Sequence, residues 1–286
     1  MRVLLASDGS SDSRQATRWL RDLALPSDTR VSVLTVATLT APPRDSQTMS
    51  RLRESVVTKA RQAGERAAKI LRRRWPEVET VVTEGDPRVE VVRVAEESRV
   101  DMIALGARGL GPLVESTSLA VARYAPCPVA IVRGRPRKVR RVLVAVDGSE
   151  GSRAALRFLS IFELVRDTQV SLLRVLPGSA VPGLRRAVTS LPDRQPGEAR
   201  RKQQADADEV LADADAVLTE ARRPVERLVA DGDPAREIVR IARSRDVDLV
   251  VLGARGLRTI GRLLLGSVSE TVLHHVGRPV VIVRER

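Results

Sequence analysis

The stretch that decides the fold is Asp248-Leu-Val-Val-Leu-Gly-Ala-Arg-Gly-Leu257, followed by Gly266-Ser267 and by Pro279-Val-Val-Ile-Val-Arg284. Four consecutive apolar residues after Asp248 are typical of a parallel strand that is buried on both faces. Two glycines follow at once, then an amphipathic segment, and then a second run of the same apolar kind. The order is therefore strand, glycine loop, helix, strand.

The glycines and the serine have the spacing G-x2-G-x9-G-S, over Gly253, Gly256, Gly266 and Ser267. Glycines at the carboxyl end of a strand let backbone N–H groups approach an anion closely. The helix that follows adds the N–H groups of its first turn, which favour phosphate, and Ser267 could be both its N-cap and a hydroxyl donor. The chain contains neither a Walker A loop nor a Rossmann fingerprint. Tight turns are the alternative explanation of these glycines.

Together with Val144-Ala-Val-Asp147-Gly-Ser149, this pattern resembles the nucleotide-binding motif of universal stress proteins. The resemblance covers almost the whole chain, in two copies. It implies that the ligand is ATP, with or without bound Mg²⁺, and that the protein is a stress-response regulator or sensor. It also implies the strand order 3-2-1-4-5 in each copy.

Length and composition set the remaining limits. A chain of 286 residues is long enough for two domains. Only 2% of the residues are aromatic, so the cores must consist of Val, Leu, Ala and Ile, and a single cysteine excludes an internal disulfide. The N-terminus is not typical of a signal peptide and no apolar run has transmembrane length, so we expect a cytoplasmic protein without membrane contact.

The net charge of +13 is spread along the chain. There is no basic tail and no set of aromatic residues on which bases could stack. We therefore expect no specific nucleic-acid binding, only a general attraction to polyanions.

The chain repeats itself. Asp8-Gly-Ser10 recurs as Asp147-Gly-Ser149, 139 residues later. The Gly-Asp-Pro motif at 85–87 and the glycine loop at 106–110 recur 147 residues later, and the last strand recurs 151 residues later. A period this long indicates a duplicated domain rather than a solenoid. We predict domains at residues 1–134 and 141–286, the first with a degenerate nucleotide loop and the second with an intact one, joined by a short basic linker.

Each copy alternates apolar strand runs with helical patterns, which predicts an α/β fold. We expect two tandem doubly wound domains, each with a five-stranded parallel sheet and helices on both faces. The predicted strands lie near residues 3–6, 31–36, 78–82, 102–105, 129–132, 142–146, 170–175, 225–229, 249–252 and 280–283. The predicted helices lie near residues 12–24, 49–74, 88–98, 115–124, 151–165, 199–221, 235–245 and 267–276. Residues 37–48 and 176–197 are predicted to be loops, either mobile lids or plain disorder.

In the second copy the candidate residues follow the carboxyl ends of the predicted strands, where such sheets bind ligands. The backbone at Val175 could hold an adenine. Asp147 could accept a hydrogen bond from a ribose hydroxyl or help to hold a cation, or it could only form an Asx turn. The resemblance assigns nucleotide contacts to most of the set, which comprises Ala145, Asp147, Val175, Asp231, Gly253, Arg255, Gly256, Gly266, Ser267 and Val268.

The first copy departs from the pattern, because its segment after the glycine loop is four residues shorter. Alignment from the last strand places Glu115 and Ser116 opposite Gly266 and Ser267, whereas alignment from the glycine loop places Leu119 and Ala120 there. A carboxylate at Glu115 would repel phosphate, so we expect ATP mainly in the second copy. The weaker candidates are Ala6, Asp8, Val36, Gly106, Arg108, Gly109 and Ser116.

No catalytic constellation or protein metal site is predicted. His274 and His275 are adjacent and would point about 100° apart on a helix, which is unsuitable for chelating one ion. The open alternatives to an ATP-binding regulator are an ATPase of low turnover and a scaffold that binds no nucleotide.

The last strand of each copy would lie at a sheet edge in the order 3-2-1-4-5. An apolar edge must be paired or covered, so we expect strands 129–132 and 280–283 to pack about a pseudo-twofold axis within the chain. Alternate residues of each strand should then face the partner copy. A homodimer through a second surface is compatible with this arrangement.

Overall fold

The computed structural model describes residues 1–39, 46–107, 116–163, 168–177, 196–219, 225–257 and 265–284. The strands are β1 Arg2–Ala6, β2 Arg30–Ala37, β3 Val78–Glu84, β4 Met102–Gly106, β5 Val129–Val132, β6 Arg141–Ala145, β7 Gln169–Pro177, β8 Val225–Gly232, β9 Leu249–Gly253 and β10 Val280–Val283. The helices are α1 Ser11–Asp22, α2 Ser46–Leu71, α3 Pro87–Glu97, α4 Thr117–Tyr124, α5 Glu150–Ser160, α6 Pro196–Thr219, α7 Pro234–Ser244 and α8 Ser267–His275.

The strands form one ten-stranded sheet in the order β3-β2-β1-β4-β5-β10-β9-β6-β7-β8. Within each half all neighbours are parallel and the order is 3-2-1-4-5, as the family resemblance implies. One core cluster lies under α1, α2, α5 and α6, and the other under α3, α4, α7 and α8. Helices therefore cover both faces, and the predicted fold class is confirmed.

The two edge strands of the sheet are longer than the sequence predicts. Strand β8 continues to Gly232 rather than ending near residue 229, and β3 continues to Glu84. Both are paired with their inner neighbours over this whole length. Because polar residues alternate along them, the ends of these strands cannot be recognised from a run of apolar residues. Helix α2 begins at Ser46, inside the predicted loop. Residues 40–45 and 178–195 of the two predicted loops lie outside the described ranges.

The two halves are joined by their last strands. β5 and β10 pair antiparallel, with Ala130 opposite Val281. This confirms the predicted pairing of the two edges. The expectation that alternate residues face the other half is wrong, because Val281 and Ile282 belong to the core clusters on opposite faces and both have 0% exposure. The halves meet through backbone hydrogen bonds within the sheet, so neither face of β10 is available for a separate interface.

Two arginines reinforce the junction in a reciprocal way. Arg133, just after β5, donates to the carbonyl groups of Leu273 (2.9 Å) and His274 (2.8 Å) at the end of α8. Arg284, just after β10, donates to the carbonyl groups of Ala122 (2.9 Å) and Arg123 at the end of α4. Burial lowers the pKa of both guanidinium groups. Each cation thereby satisfies carbonyl groups that a helix end leaves without intrahelical partners.

The linker between β5 and β6 is attached to the second half by two aspartates. Arg137 donates to both carboxylate oxygens of Asp246, at 3.0 and 2.7 Å, and lies 3.1 Å from Asp248. Asp248 is buried and accepts from the backbone N–H groups of Arg140 and Arg141. The side chain of Arg137 and the backbone before β6 therefore attach the linker to carboxylates of the following domain.

A substitution of Asp246 can test whether its carboxylate anchors the linker. The hydrogen bond from Arg137 lowers the pKa of Asp246, as do the charges of Arg278 and Arg141. A lowered folded pKa means that the stabilisation is present above the unfolded pKa and is lost as the pH falls through the folded value. We expect Asp246→Asn to lower the melting temperature at pH 7, and the difference from wild type to shrink below about pH 4.

Asp246 has a φ of 50°, which asparagine adopts readily, so the variant tests the charge rather than the backbone. Trypsin should cut the linker of Asp246→Asn faster than that of wild type at pH 8. Glu97→Gln, which removes an exposed pair with Arg93 on α3, is the control and should leave that rate unchanged. Equal rates in all three proteins would contradict the proposed anchoring of the linker.

Candidate nucleotide site

A cavity of about 360 Å³ opens at the carboxyl ends of β6, β7 and β9 in the second half. The glycine loop after β9 and the first turn of α8 form the rest of its wall. Nine of the ten residues predicted for this half line it, namely Ala145, Asp147, Val175, Gly253, Arg255, Gly256, Gly266, Ser267 and Val268. The sheet topology thus brings together residues that lie as far as 123 positions apart in the sequence.

Asp147 connects the end of β6 to the glycine loop. Its Oδ1 accepts from the N–H of Ser149 at 3.0 Å, which is the Asx turn expected from the sequence. Its Oδ2 accepts from the N–H of Leu257 at 3.0 Å. A Cβ atom at Gly256 would collide with this same Oδ2. The absence of a side chain at Gly256 therefore lets the loop close on the carboxylate.

Gly253 is required by packing. A Cβ atom there would lie 2.6 Å from the backbone carbon of Gly151, at the start of α5. Gly106 has the same relation to α1, with a Cβ placed 2.5 Å from the backbone carbon of Asp12. These two glycines let a helix begin directly against the end of a strand, so a ligand is not needed to explain them.

Helix α8 begins at Ser267, and its N-cap is Gly266. The prediction that Ser267 is the N-cap is wrong, because Gly266 already holds the extended conformation of a cap (φ −67°, ψ 149°). Where N-caps are described for α1, α3, α4, α5 and α7, a Ser or Asp side chain accepts a first-turn N–H. Gly266 has no such group, so the first turn of α8 directs its N–H groups toward the cavity without a side-chain acceptor.

The interior side of the same turn is fixed by Ser269. Its hydroxyl donates to the carbonyl of Gly253 at 2.8 Å and is buried. The N–H of Gly266 donates to the carbonyl of Ala254, also at 2.8 Å. The helix start and the glycine loop are therefore held in one arrangement by contacts of the chain itself.

Asp231 is the predicted residue that does not line the cavity. It lies on β8 and forms an ion pair with Arg200 of α6. The hydrogen bond from Arg200 lowers the pKa of Asp231. β8 is an edge strand and holds this carboxylate away from the cavity. The position of Asp231 in the sequence does not reveal this.

The sequence analysis missed part of the apolar wall. Pro234 and Ile238 of α7 line the cavity together with Leu173 of β7. The repeated Gly-Asp-Pro motif could have indicated Pro234, because Asp233 caps α7 and so directs the helix start toward the site. Ile238 follows one helical turn later and lies on the same face.

The first half has a corresponding cavity of about 350 Å³. The predicted residues Ala6, Asp8, Val36, Gly106 and Ser116 line it, whereas Arg108, Gly109 and Glu115 lie outside the described ranges.

The start of α4 differs from that of α8. Ser116 is the N-cap of α4, and its hydroxyl accepts from the N–H of Leu119 at 3.2 Å. Alignment from the last strand places Ser116 opposite Ser267, but only in the first half does this serine cap its helix. The end of α4 that faces the first cavity therefore already has an acceptor.

The histidines and the cysteine lie away from both cavities. His275 is exposed with its Nδ1 2.8 Å from the carbonyl of Thr271, while burial lowers the pKa of the half-buried His274. Cys127 is buried. Within the described ranges, no three His, Cys, Asp or Glu side chains are grouped as a metal site, and no helix there combines the length and apolar character needed to cross a bilayer.

Comparison with known proteins places this chain in a family. The model of the universal stress protein family matches residues 1–133 and again residues 138–284. The chain belongs to the universal stress protein family, as a member with two tandem copies. The predicted domain limits at 134 and 141 stay a prediction.

Relatives span the chain or half of it. Universal stress protein Rv2005c of Mycobacterium tuberculosis is 28% identical over 304 aligned positions, which cover 99% of this chain and 97% of the relative. Universal stress protein YxiE of Bacillus subtilis is 30% identical over 149 positions, which cover 50% of this chain and 98% of the relative. The crystal structure of a universal stress protein from Archaeoglobus fulgidus has a TM-score of 0.69 at 22% identity and covers 99% of this chain and 96% of its own. This last likeness shows the shared fold.

The packing role of Gly253 gives a testable expectation. Gly253→Ala should destabilise the nucleotide-free protein by about 1–3 kcal/mol, because the added methyl group forces α5 away from β9. Gly106→Ala is the matched variant and should cost a similar amount, since its Cβ meets α1 in the same way. Urea unfolding without nucleotide measures both. A nucleotide-free Gly253→Ala protein as stable as wild type would contradict the packing explanation.

Proposed function

We propose that the chain is a stress-response regulator or sensor that binds ATP, chiefly in the cavity of its second half. The observation that carries this proposal is the first turn of α8, whose cap has no side chain and which meets the glycine loop at the cavity wall. Backbone N–H groups at a helix start, helped by the helix dipole, favour phosphate. Arg255 of the glycine loop adds a positive charge at the same wall.

The rest of the cavity suits the uncharged part of the nucleotide. Val175 belongs to a buried stretch of β7, and Ile238 and Pro234 supply apolar surface nearby. In this proposal the adenine lies between these walls and takes hydrogen bonds from the backbone near Val175. Asp147 lies between the base and phosphate regions, at the place for a ribose hydroxyl. Its oxygens already accept two N–H bonds, which leaves lone pairs for one further donor.

Mg²⁺ would be held mainly by ATP. Mg²⁺ typically keeps several waters and takes one or two carboxylates along with substrate phosphates. Asp147 is the one carboxylate among the residues that line the described part of this cavity. The ion would therefore accompany the nucleotide, and the proposal does not require it for binding.

Slow hydrolysis and a scaffold role are the alternatives. The described residues that line the cavity include no histidine, and both carboxylate oxygens of Asp147 are already engaged by backbone N–H groups. Phosphate release under single-turnover conditions would distinguish an ATPase from a binding protein. Equilibrium dialysis with ATP would distinguish a binding protein from a scaffold.

The start of α8 provides the sharpest test. Gly266→Asp places a carboxylate where the phosphates should bind and also caps the helix. A hydrogen bond to a charged group contributes about 1.5–3 kcal/mol, so losing two of them should weaken ATP binding on the order of a hundredfold or more. The fold should remain intact, because aspartate is a favoured N-cap. Titration calorimetry measures the affinity, and thermal unfolding checks the fold.

Gly266→Ser is the matched variant, because it adds a cap without a charge and copies the role of Ser116. It should weaken ATP binding less than Gly266→Asp does. Unchanged affinity in a folded Gly266→Asp protein would refute the assignment of the phosphate site.

The difference between the two halves predicts the stoichiometry. We expect about one ATP per chain, in the second half, because Ser116 already occupies the start of α4 in the first. Calorimetry of wild type and of Ser116→Gly tests this point, and the variant should gain measurable binding in the first half. Two equivalent tight sites in wild type would show that neither the cap of α4 nor the Glu115 carboxylate and shorter segment expected from the sequence matters.

A further inference from the structure

A groove of about 310 Å³ lies between α1 and the linker that joins the two halves. Gln15, Arg18, Trp19 and Asp22 of α1 form one wall, and residues 135–138 form the other. All of these residues belong to the described part of the chain. The groove shares no described lining residue with the cavities at the starts of α4 and α8. Its volume is in the range of small-ligand sites.

Cations outnumber carboxylates in this groove. Its lining carries four cations, namely Arg18, Arg135, Arg137 and Lys138. Asp22 is the one carboxylate among the described lining residues. Arg21 donates to both carboxylate oxygens of Asp22, at 2.7 and 2.9 Å, and so offsets this negative charge. The groove therefore has an excess of positive charge.

Three of the four cations have no anionic partner among the described residues. Arg137 is the exception, because it is paired with Asp246 and Asp248. The other three form neither an ion pair nor a side-chain hydrogen bond there, and they are Arg18 on α1 and Arg135 and Lys138 on the linker. Like charges on facing walls repel one another, so an anion between them would stabilise this arrangement.

The repeat shows that the free charge is particular to the first half. Arg157 of α5 is the counterpart of Arg18, 139 residues later, and it is paired with Glu150. The counterpart of Glu150 on α1 is Ser11. The second half thus neutralises this arginine within its own helix, whereas the first half leaves it at the groove.

The wall formed by α1 also contains buried polar atoms without partners. Trp19 is 3% exposed, and its Nε1–H has no acceptor in the described ranges. The Oε1 of Gln15, one helical turn earlier, is likewise buried and unpartnered. A rotated Gln15 amide would present N–H donors at the same place. Buried polar groups of native proteins are normally satisfied, so a donor left by the chain indicates a bound water or ion.

We propose that this groove is a binding site for a small phosphate-bearing anion, which connects α1 to the linker. Arg18 and Arg135 would hold its oxygens from opposite walls, because the planar fork of a guanidinium matches phosphate geometry. Lys138 would add charge, and the N–H of Trp19 would donate to a further oxygen. Three free cations match a dianion with several acceptor oxygens better than they match a single carboxylate. This proposal does not depend on ATP binding.

The test uses the emission of Trp19, one of the two tryptophans of the chain. Inorganic phosphate is titrated into the full chain at constant ionic strength. We expect a saturable shift to longer wavelength, because the indole N–H gains a charged acceptor. Arg18→Gln should raise the apparent Kd at least about tenfold, since it removes hydrogen bonds to the anion. Arg18 is exposed, so this variant is compatible with folding.

Arg157→Gln is the matched control, because it removes the same charge at the pseudosymmetric position. It should leave the apparent Kd within about twofold of wild type. Trp19→Phe assigns the signal, which should disappear although Trp75 remains. No saturable shift in wild type, equal weakening by the two arginine variants, or a shift that persists in Trp19→Phe would overturn the proposal.

Proteolysis gives a second, independent readout. Phosphate should slow the cutting of the linker by trypsin in wild type and in Arg157→Gln, because the bound ion connects the linker to α1, but not in Arg18→Gln. Equal cutting rates with and without phosphate in wild type would contradict the proposal. Titration of glycerol 3-phosphate distinguishes the sources of the phosphate group. Tighter binding than that of inorganic phosphate would assign the groove to an organic phosphate, and weaker binding would assign it to the free ion.

Discussion

The antiparallel pairing of β5 with β10 is the constraint on which the rest of the structure depends. An apolar strand at a sheet edge exposes a row of N–H and C=O groups and invites association. Each half has such a strand, and the chain pairs the two with one another. The result is one sheet with core clusters that cross the junction on both faces. Separating the halves would therefore expose both the strand edges and the apolar residues packed above and below them.

The reciprocal arginines depend on that pairing. Arg133 reaches α8 and Arg284 reaches α4 only because the two strand ends lie side by side in opposite directions. Each helix has its start at a cavity and its end at the junction. The packing that holds the halves together thus also fixes the two helix starts that distinguish the cavities.

Much of the fold could be predicted from the sequence, because buried parallel strands are short apolar runs and because the chain repeats its motifs. The longer edge strands β3 and β8 could not, since polar residues alternate along them and only pairing with β2 and β7 defines their ends. Most of the candidate site in the second half could also be predicted, because the carboxyl ends of neighbouring parallel strands meet at one edge.

The sequence could not predict contacts between residues that lie far apart along the chain. Asp231 is in the right motif, but its edge strand carries it to Arg200. The caps of α4 and α8 differ although serines occupy aligned positions, because α8 begins one residue earlier relative to the alignment. The closeness of Gly253 to Gly151 depends on how α5 approaches β9. The spacing of glycines in a motif does not distinguish this role from contact with a ligand.

The antiparallel junction has a consequence for access to the two cavities. Strands of one half run opposite to strands of the other, so the carboxyl ends of the two sets emerge at opposite margins of the sheet. The two cavities therefore open in opposite directions. One flat binding partner cannot cover both mouths at once. Duplication of a domain has in this way given one continuous sheet whose two cavities are reached from opposite sides.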